Sequence, residues 1–167
     1  MGIPEEYYLK NIEMANTYSQ IYIQLVFATK FRENLLSESI KDEVEKYICG
    51  IFSNKGQKVI SIYANPDHIH ILFSYKDLKI SIPDLVKTVK VETTNFINEN
   101  RLCQGKFLWQ EGYGAFSYSK NQIKNVSDYI LNQKIHHQKK SFREEYIELL
   151  TQFEIDYKDE YLFDFFE

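Results

Sequence analysis

Apolar and polar positions alternate with a period of two from Tyr18 to Thr29, in YSQIYIQLVFAT. This predicts a strand that ends at the basic turn Lys30-Phe31-Arg32. The period then lengthens. Ser37 or Ser39 can cap a helix running to about Asn54 on a stripe of Ile40, Val44, Tyr47, Ile48 and Ile51, and Asn54-Lys55-Gly56 breaks it. Lys58 to Ala64 reads as a second strand, and Asn65-Pro66-Asp67 turns the chain into a third, His68-Ile69-His70-Ile71-Leu72-Phe73. Ser81-Ile82-Pro83-Asp84 opens a second helix to about Asn100, carried by Ile82, Leu85, Val86, Val89, Thr93 and Phe96. A fourth extended segment covers Lys106 to Tyr118, where Gly112 and Gly114 suggest a bend or a close backbone approach. Ser119-Lys120-Asn121-Gln122 is a capping-box pattern for a third helix that holds Tyr129 and Gln133. A short amphipathic helix, Phe142 to Phe153, leads into an acidic aromatic tail.

Strand, helix, strand, strand, helix, strand is the ferredoxin-like βαββαβ order, an α+β fold with an antiparallel sheet and helices on one face. A C-terminal helix and tail follow. Alternation places His68, His70 and Leu72 on one face of the third strand, and Ile69, Ile71 and Phe73 on the other. With helices covering the isoleucine face, the histidine face is expected to be free. The chain divides into an extension at 1–13, a catalytic domain at 14–140, and a short helix with its tail at 141–167.

The 167 residues suit one domain able to bury a core unaided. Two cysteines, Cys49 and Cys103, have no metal-ligand or redox spacing, so reduced thiols in a cytoplasmic protein are expected. No signal peptide and no membrane span are expected. The net charge of -4 speaks against nucleic acid until its distribution is considered. Nine acidic residues and one lysine lie between Glu144 and Glu167, a local charge of -8, so residues 1–143 carry +4. An acidic tail masks a mildly basic domain, which permits DNA binding without demanding it.

Two imidazoles side by side on a rigid strand can clamp a divalent cation, although a bare His-x-His is also compatible with half-buried, hydrogen-bonded histidines. Tyr129 and Gln133 stand four apart and share a helix face. A phenol is a poor nucleophile at its ordinary pKa near ~10, but it can serve beside a cation that polarises a phosphate. Gln133 offers a carbonyl oxygen to a hard cation such as Mg²⁺ or Mn²⁺. With 13 tyrosines in the chain, a packing role for Tyr129 stays open on periodicity alone.

Four segments together resemble one family, the HUH single-tyrosine transposases of small bacterial insertion sequences and their REP-associated relatives. They are Ala15-Asn16-Thr17-Tyr18-Ser19-Gln20-Ile21-Tyr22, Asn65-Pro66-Asp67-His68-Ile69-His70-Ile71, Phe107-Leu108-Trp109-Gln110-Glu111-Gly112-Tyr113-Gly114-Ala115-Phe116 and Tyr129-Ile130-Leu131-Asn132-Gln133. The resemblance runs from about Met14 to the C-terminus. It implies a metal held by His68, His70 and Gln133, and Tyr129 as the nucleophile. It also implies cleavage and rejoining of single-stranded DNA through a 5′-phosphotyrosine, recognition of hairpin-forming ends, and a homodimer pairing the histidines of one subunit with the tyrosine helix of the other. No nucleotide cofactor is expected, and no GxxxxGK[ST] loop is present. Lys30, Arg32, Lys87, Lys90, Lys120 and Lys124 are candidates for the DNA backbone, or else a solvated lysine face. Trp109 is read as core. His136 and His137 are left outside the metal set, at a helix end that meets phosphate or solvent. The rival functions are an HxH metal-dependent hydrolase, which lacks a third alternating histidine because position 72 is Leu72, and a ferredoxin-like nucleic-acid-binding module, which lacks an RNP-like aromatic pattern.

Overall fold

In the computed structural model, residues 18–30 and 36–165 are described. Four strands, β1 (Tyr22–Ala28), β2 (Lys58–Ala64), β3 (His68–Ser74) and β4 (Gly114–Tyr118), form one antiparallel sheet in the order β2-β3-β1-β4. This is the expected ferredoxin-like arrangement. Helices α1 (Glu38–Asn54) and α2 (Ile82–Glu99) pack together on one face. Their stripes meet Ile23, Leu25 and Phe27 of β1 and Ile69, Ile71 and Phe73 of β3 in the main core. Ser81 caps α2 by accepting from Asp84 N at 3.2 Å, with Pro83 in the first turn where a missing N–H costs nothing.

The fourth extended segment is a strand only from Gly114 onward. Upstream of it, Trp109 makes an isolated bridge to Thr29 and packs edge-on against Phe27 and Phe107, a core role. Gly112 takes φ +77° at the bend. A Cβ on Gly114 would lie 2.8 Å from the Phe116 ring and 3.0 Å from that of Tyr146, so a side chain there would have to displace these rings.

The expectation of a free histidine face is overturned. His68 and His70 have no exposed surface. Three further helices cover them: α3 (Ile123–Leu131), α4 (Gln133–His136) and α5 (Phe142–Gln152). Helix α3 lies on β2 and β3, and its Ile123 and Ile130 form a second small core with Leu72 and Tyr22. The Phe142 ring stacks on His68, with centroids 3.8 Å apart and planes 5° from parallel. The tail then docks on α5, burying Phe163 against Phe142 and Tyr146. Gln110 fixes it there. Its Nε2 donates to Thr29 O and Asp164 O, and its Oε1 accepts from Asp164 N, each at 2.8 Å. Apolar residues of α5 and the tail drive this closure, because an apolar surface is costly to leave wet.

Candidate active site

The turn before β3 is closed by Asn65 N donating to His68 O at 2.8 Å, and the pleat then aims both imidazoles at the covering helices. His68 Nδ1 lies 2.7 Å from Asp67 Oδ1, which leaves Nε2 pointing into the site. His70 Nδ1 lies 2.9 Å from Gln24 Nε2, and Gln24 Oε1 accepts from the Tyr118 hydroxyl. From the other side, Gln133 and His137 are one helical turn apart, with His137 N donating to Gln133 O. A capping box at Ser141 and Glu144 sets the start of α5, and the next residue, Glu145, falls on its apolar face beside Phe142, Tyr146 and Leu149.

Glu145 is the centre of the arrangement, and it is 1 % exposed. Its Oε1 accepts from the Tyr129 hydroxyl and, at 2.7 Å, from Gln133 Nε2. The same oxygen is 3.4 Å from His70 Nε2, and Oε2 lies 3.1 Å from His137 Nε2 and 3.5 Å from His68 Nε2. His68, His70, His137 and Glu145 each offer one ligand atom within 4.8 Å of the others, so the cluster can hold a metal ion. Two buried polar atoms in it, His70 Nε2 and Glu145 Oε2, have no hydrogen-bond partner. Buried atoms of this kind are normally satisfied, and a cation among them would satisfy both.

Electrostatics follow from this crowding. Burial opposes the charge of Glu145, but His70, His137 and His68 outweigh it and hold its carboxyl well below the usual range. Burial likewise opposes the charge of His68, which Asp67 and Glu145 nevertheless push up, whereas burial pulls His70 down. Tyr129 is pushed far above an ordinary phenol, first by burial and then by the neighbouring Glu145 charge. A buried carboxylate next to an un-ionised phenol calls for a compensating positive charge before that phenol can attack anything.

The sequence profile of the family described as "Transposase IS200 like" matches residues 17–133. The chain belongs to that family. This IS200-like transposase is 28% identical over 119 residues to the ISDra2 transposase TnpA of Deinococcus radiodurans, covering 68% of this chain and 84% of that relative. The crystal structure of a D. radiodurans protein described as a transposase superimposes with a TM-score of 0.56 at 25% identity, over 72% of this chain and 96% of that one. A REP-associated tyrosine transposase bound to a REP hairpin gives a TM-score of 0.56 at 12% identity, over 75% and 73% of the two chains, and so shares the fold.

The structure brings His68, His70, Tyr129 and Gln133 together within one chain of this transposase. It separates the helix expected to carry the last two, which breaks at Asn132, yet both still reach Glu145. Gln133 does not turn its oxygen to the cluster. Oε1 accepts from Asn65 Nδ2 at 3.2 Å, while Nε2 is the atom facing Glu145. Sequence reasoning misses both His137, which it sets outside the metal set, and Glu145, which it reads as one acid of the tail. Both stand in the cluster, and His136 packs edge-on against the Tyr129 ring. Their signals were present: His137 sits at i+8 from Tyr129, and Glu145 is a charge on an apolar stripe. The basic candidates scatter. Lys87 and Lys90 belong to α2, on the opposite face of the sheet, and Lys90 Nζ is engaged by Gln110 O at 2.7 Å and by Gly112 O, so it is not a free phosphate contact. Lys120 is exposed just before α3 and Lys124 is exposed on its first turn, paired with Asp128, and Lys30 is exposed just past β1. Arg32 and the extension at 1–13 lie outside the described residues. Among those residues, no helix is long and apolar enough to cross a membrane.

Proposed function

We propose that this IS200-like transposase cuts and rejoins single-stranded DNA at hairpin-forming element ends, with Tyr129 as the nucleophile. One observation supports this above all: the Tyr129 hydroxyl and both strand histidines converge on the same buried carboxylate. His68 and His70 would hold a divalent cation, Mg²⁺ or Mn²⁺, which would supply polarisation of the scissile phosphate and offset the charge of Glu145. The family resemblance would add Gln133 as third ligand.

The chain's own residues account for the rest. Tyr129 gives up its proton, whose nearest acceptor is Glu145 Oε1, and its oxygen bonds to phosphorus. The bond to the 3′-oxygen breaks, and that oxygen leaves as a hydroxyl after taking up a proton. The 5′-phosphotyrosine keeps the phosphodiester energy, so a 3′-hydroxyl can later attack it and restore both DNA and phenol without ATP. A pocket of about 330 Å³ lined by Tyr118, Gln122, Asn125, Tyr129, Glu145 and Gln152 opens beside the nucleophile and offers the strand amide contacts. Lys120 and Lys124, on the same side of the sheet, suit the backbone phosphates. A homodimer handles two element ends, each subunit using Tyr129 at its own histidines.

The test uses a labelled single-stranded hairpin oligonucleotide with Mn²⁺. Wild type cuts it, whereas Tyr129→Phe, His68→Ala and His70→Ala each lose cleavage by at least about 100-fold while still binding the hairpin. Undiminished cleavage by Tyr129→Phe, or full activity in EDTA, would contradict the reading.

A further inference from the structure

We infer that the C-terminal tail is an autoinhibitory strap. Phe163, Phe165 and the clamp between Asp164 and Gln110 hold Phe142 over His68, and single-stranded DNA displaces the strap to bring a phosphate to the histidines. This rests on the proposed function, in which one phosphate meets both Tyr129 and the cation at His68 and His70.

The closed site creates the need. His68 and His70 have no exposed surface and Glu145 is 1 % exposed, so a phosphate has no path to the histidines as the chain stands. Tyr129 is better placed. It lines the open pocket of about 330 Å³, which neither strand histidine lines. The nucleophile can therefore be approached while the histidines stay shut.

The ring lying flat on His68 is Phe142, with centroids 3.8 Å apart, and the tail pins that ring from outside. Phe163 and Phe165 bring their centroids within 5.9 and 5.2 Å of it. The anchor of the tail sits beside the same histidine. Gln110, which engages both Asp164 N and Asp164 O, also donates to Thr29 O, and Thr29 N donates at 2.8 Å to Asp67 O, one residue before His68.

That anchor is small enough to release. Residues 154–161 are all exposed, so the strap leaves α5 and packs again only from Leu162 onward. Segments held by so few buried contacts open locally while the rest of a fold stays intact. Between Glu154 and Asp164 the strap carries five acids and one lysine, so an arriving DNA backbone repels it. A chain that is closed most of the time binds DNA more weakly than its open form by the fraction that is open.

The test uses full-length Tyr129→Phe as parent and a labelled single-stranded hairpin. Gln110→Ala and Asp164→Pro, which removes the N–H that Gln110 accepts, should each bind the hairpin about threefold or more tighter than the parent. Asp164→Asn removes the same charge but keeps that N–H, and should bind within about twofold of the parent. In hydrogen exchange read by mass spectrometry, saturating hairpin should speed exchange of residues 161–165 in the parent by about tenfold or more and leave β1 and β3 protected. Circular dichroism checks that the variants fold, and the exchange arm needs none of them. Tail exchange that is unchanged or slower with hairpin bound would overturn the strap. So would folded clamp variants that bind no tighter than the parent, or a hairpin that no chain binds. Neither readout depends on which residue bonds to DNA, so the tyrosine chemistry stands or falls on its own test.

Discussion

Glu145 accepts a hydrogen bond from the Tyr129 hydroxyl on one oxygen and faces three imidazoles, so replacing it with glutamine keeps its shape and removes its charge. Tyr129 then loses, after burial, the largest cause that raises its pKa. In Glu145→Gln the Tyr129 phenolate should form at lower pH than in wild type, read by ultraviolet difference titration against the Tyr129→Phe double variant. Cleavage should nonetheless fall by about tenfold or more, because the pocket loses the group that places both cation and nucleophile. A variant with unchanged titration and full activity would remove Glu145 from the site. At this scale the sequence was informative wherever one short segment carried the signal. Strand alternation put His68 and His70 on one face and a four-residue spacing put Tyr129 and Gln133 on another, while the roles expected of them came from the family resemblance. Glu145 was not, because a charge on an apolar helix face gains meaning only when the partner across the gap is known. It stood among nine acids that read as a solvated tail.

Elements were legible in proportion to the strength of their punctuation. Helix α1 ends where Asn54-Lys55-Gly56 breaks it, with Gly56 at φ +70°, and α2 begins at its Ser81 cap. The placement of α5 was not legible, since amphipathicity shows that a helix buries a face without showing where. Two expectations belong here. Gly114→Ala forces a methyl into the rings of Phe116 and Tyr146 and should cost about 1–3 kcal/mol, measured by denaturant midpoint. A stability within about 0.5 kcal/mol of wild type, the scatter of neutral surface changes, would show that the contact relaxes freely. Deleting residues 156–167 removes Phe163 from Phe142 and Tyr146 and the Asp164 clamp from Gln110. The truncated chain should melt at lower temperature and bind a hydrophobic dye, and an unchanged melt would show the tail to be a passive cover.

Among the described residues burial raises four phenols: Tyr113, Tyr118 and Tyr146, the last two to about 12, and Tyr129 further. Their unfolded counterparts ionise near ~10, so above that pH the unfolded chain sheds protons that the folded chain retains. Stability should therefore be level below pH ~10 and decline as pH rises toward ~12, with the late phenolate signal appearing only on unfolding. DNA affinity should fall as salt rises despite the net charge of -4, because the acids concentrate in the last stretch of the chain while Lys120 and Lys124 flank the site. The family resemblance suggests composite sites shared between subunits, whereas one chain already joins Tyr129 to its own histidines. Mixing a His68→Ala/His70→Ala chain with a Tyr129→Phe chain should stay inactive, and recovered activity would establish exchange of the tyrosine helix between subunits. The central claim is that Tyr129 bonds to DNA. Incubating wild type with a 5′-extended single-stranded hairpin and Mn²⁺, then digesting the denatured adduct for mass spectrometry, tests it most directly. The account predicts a 5′-phosphonucleotide on Tyr129 and a free 3′-hydroxyl on the released fragment; cleavage with no protein adduct, or an adduct on another residue, would contradict it.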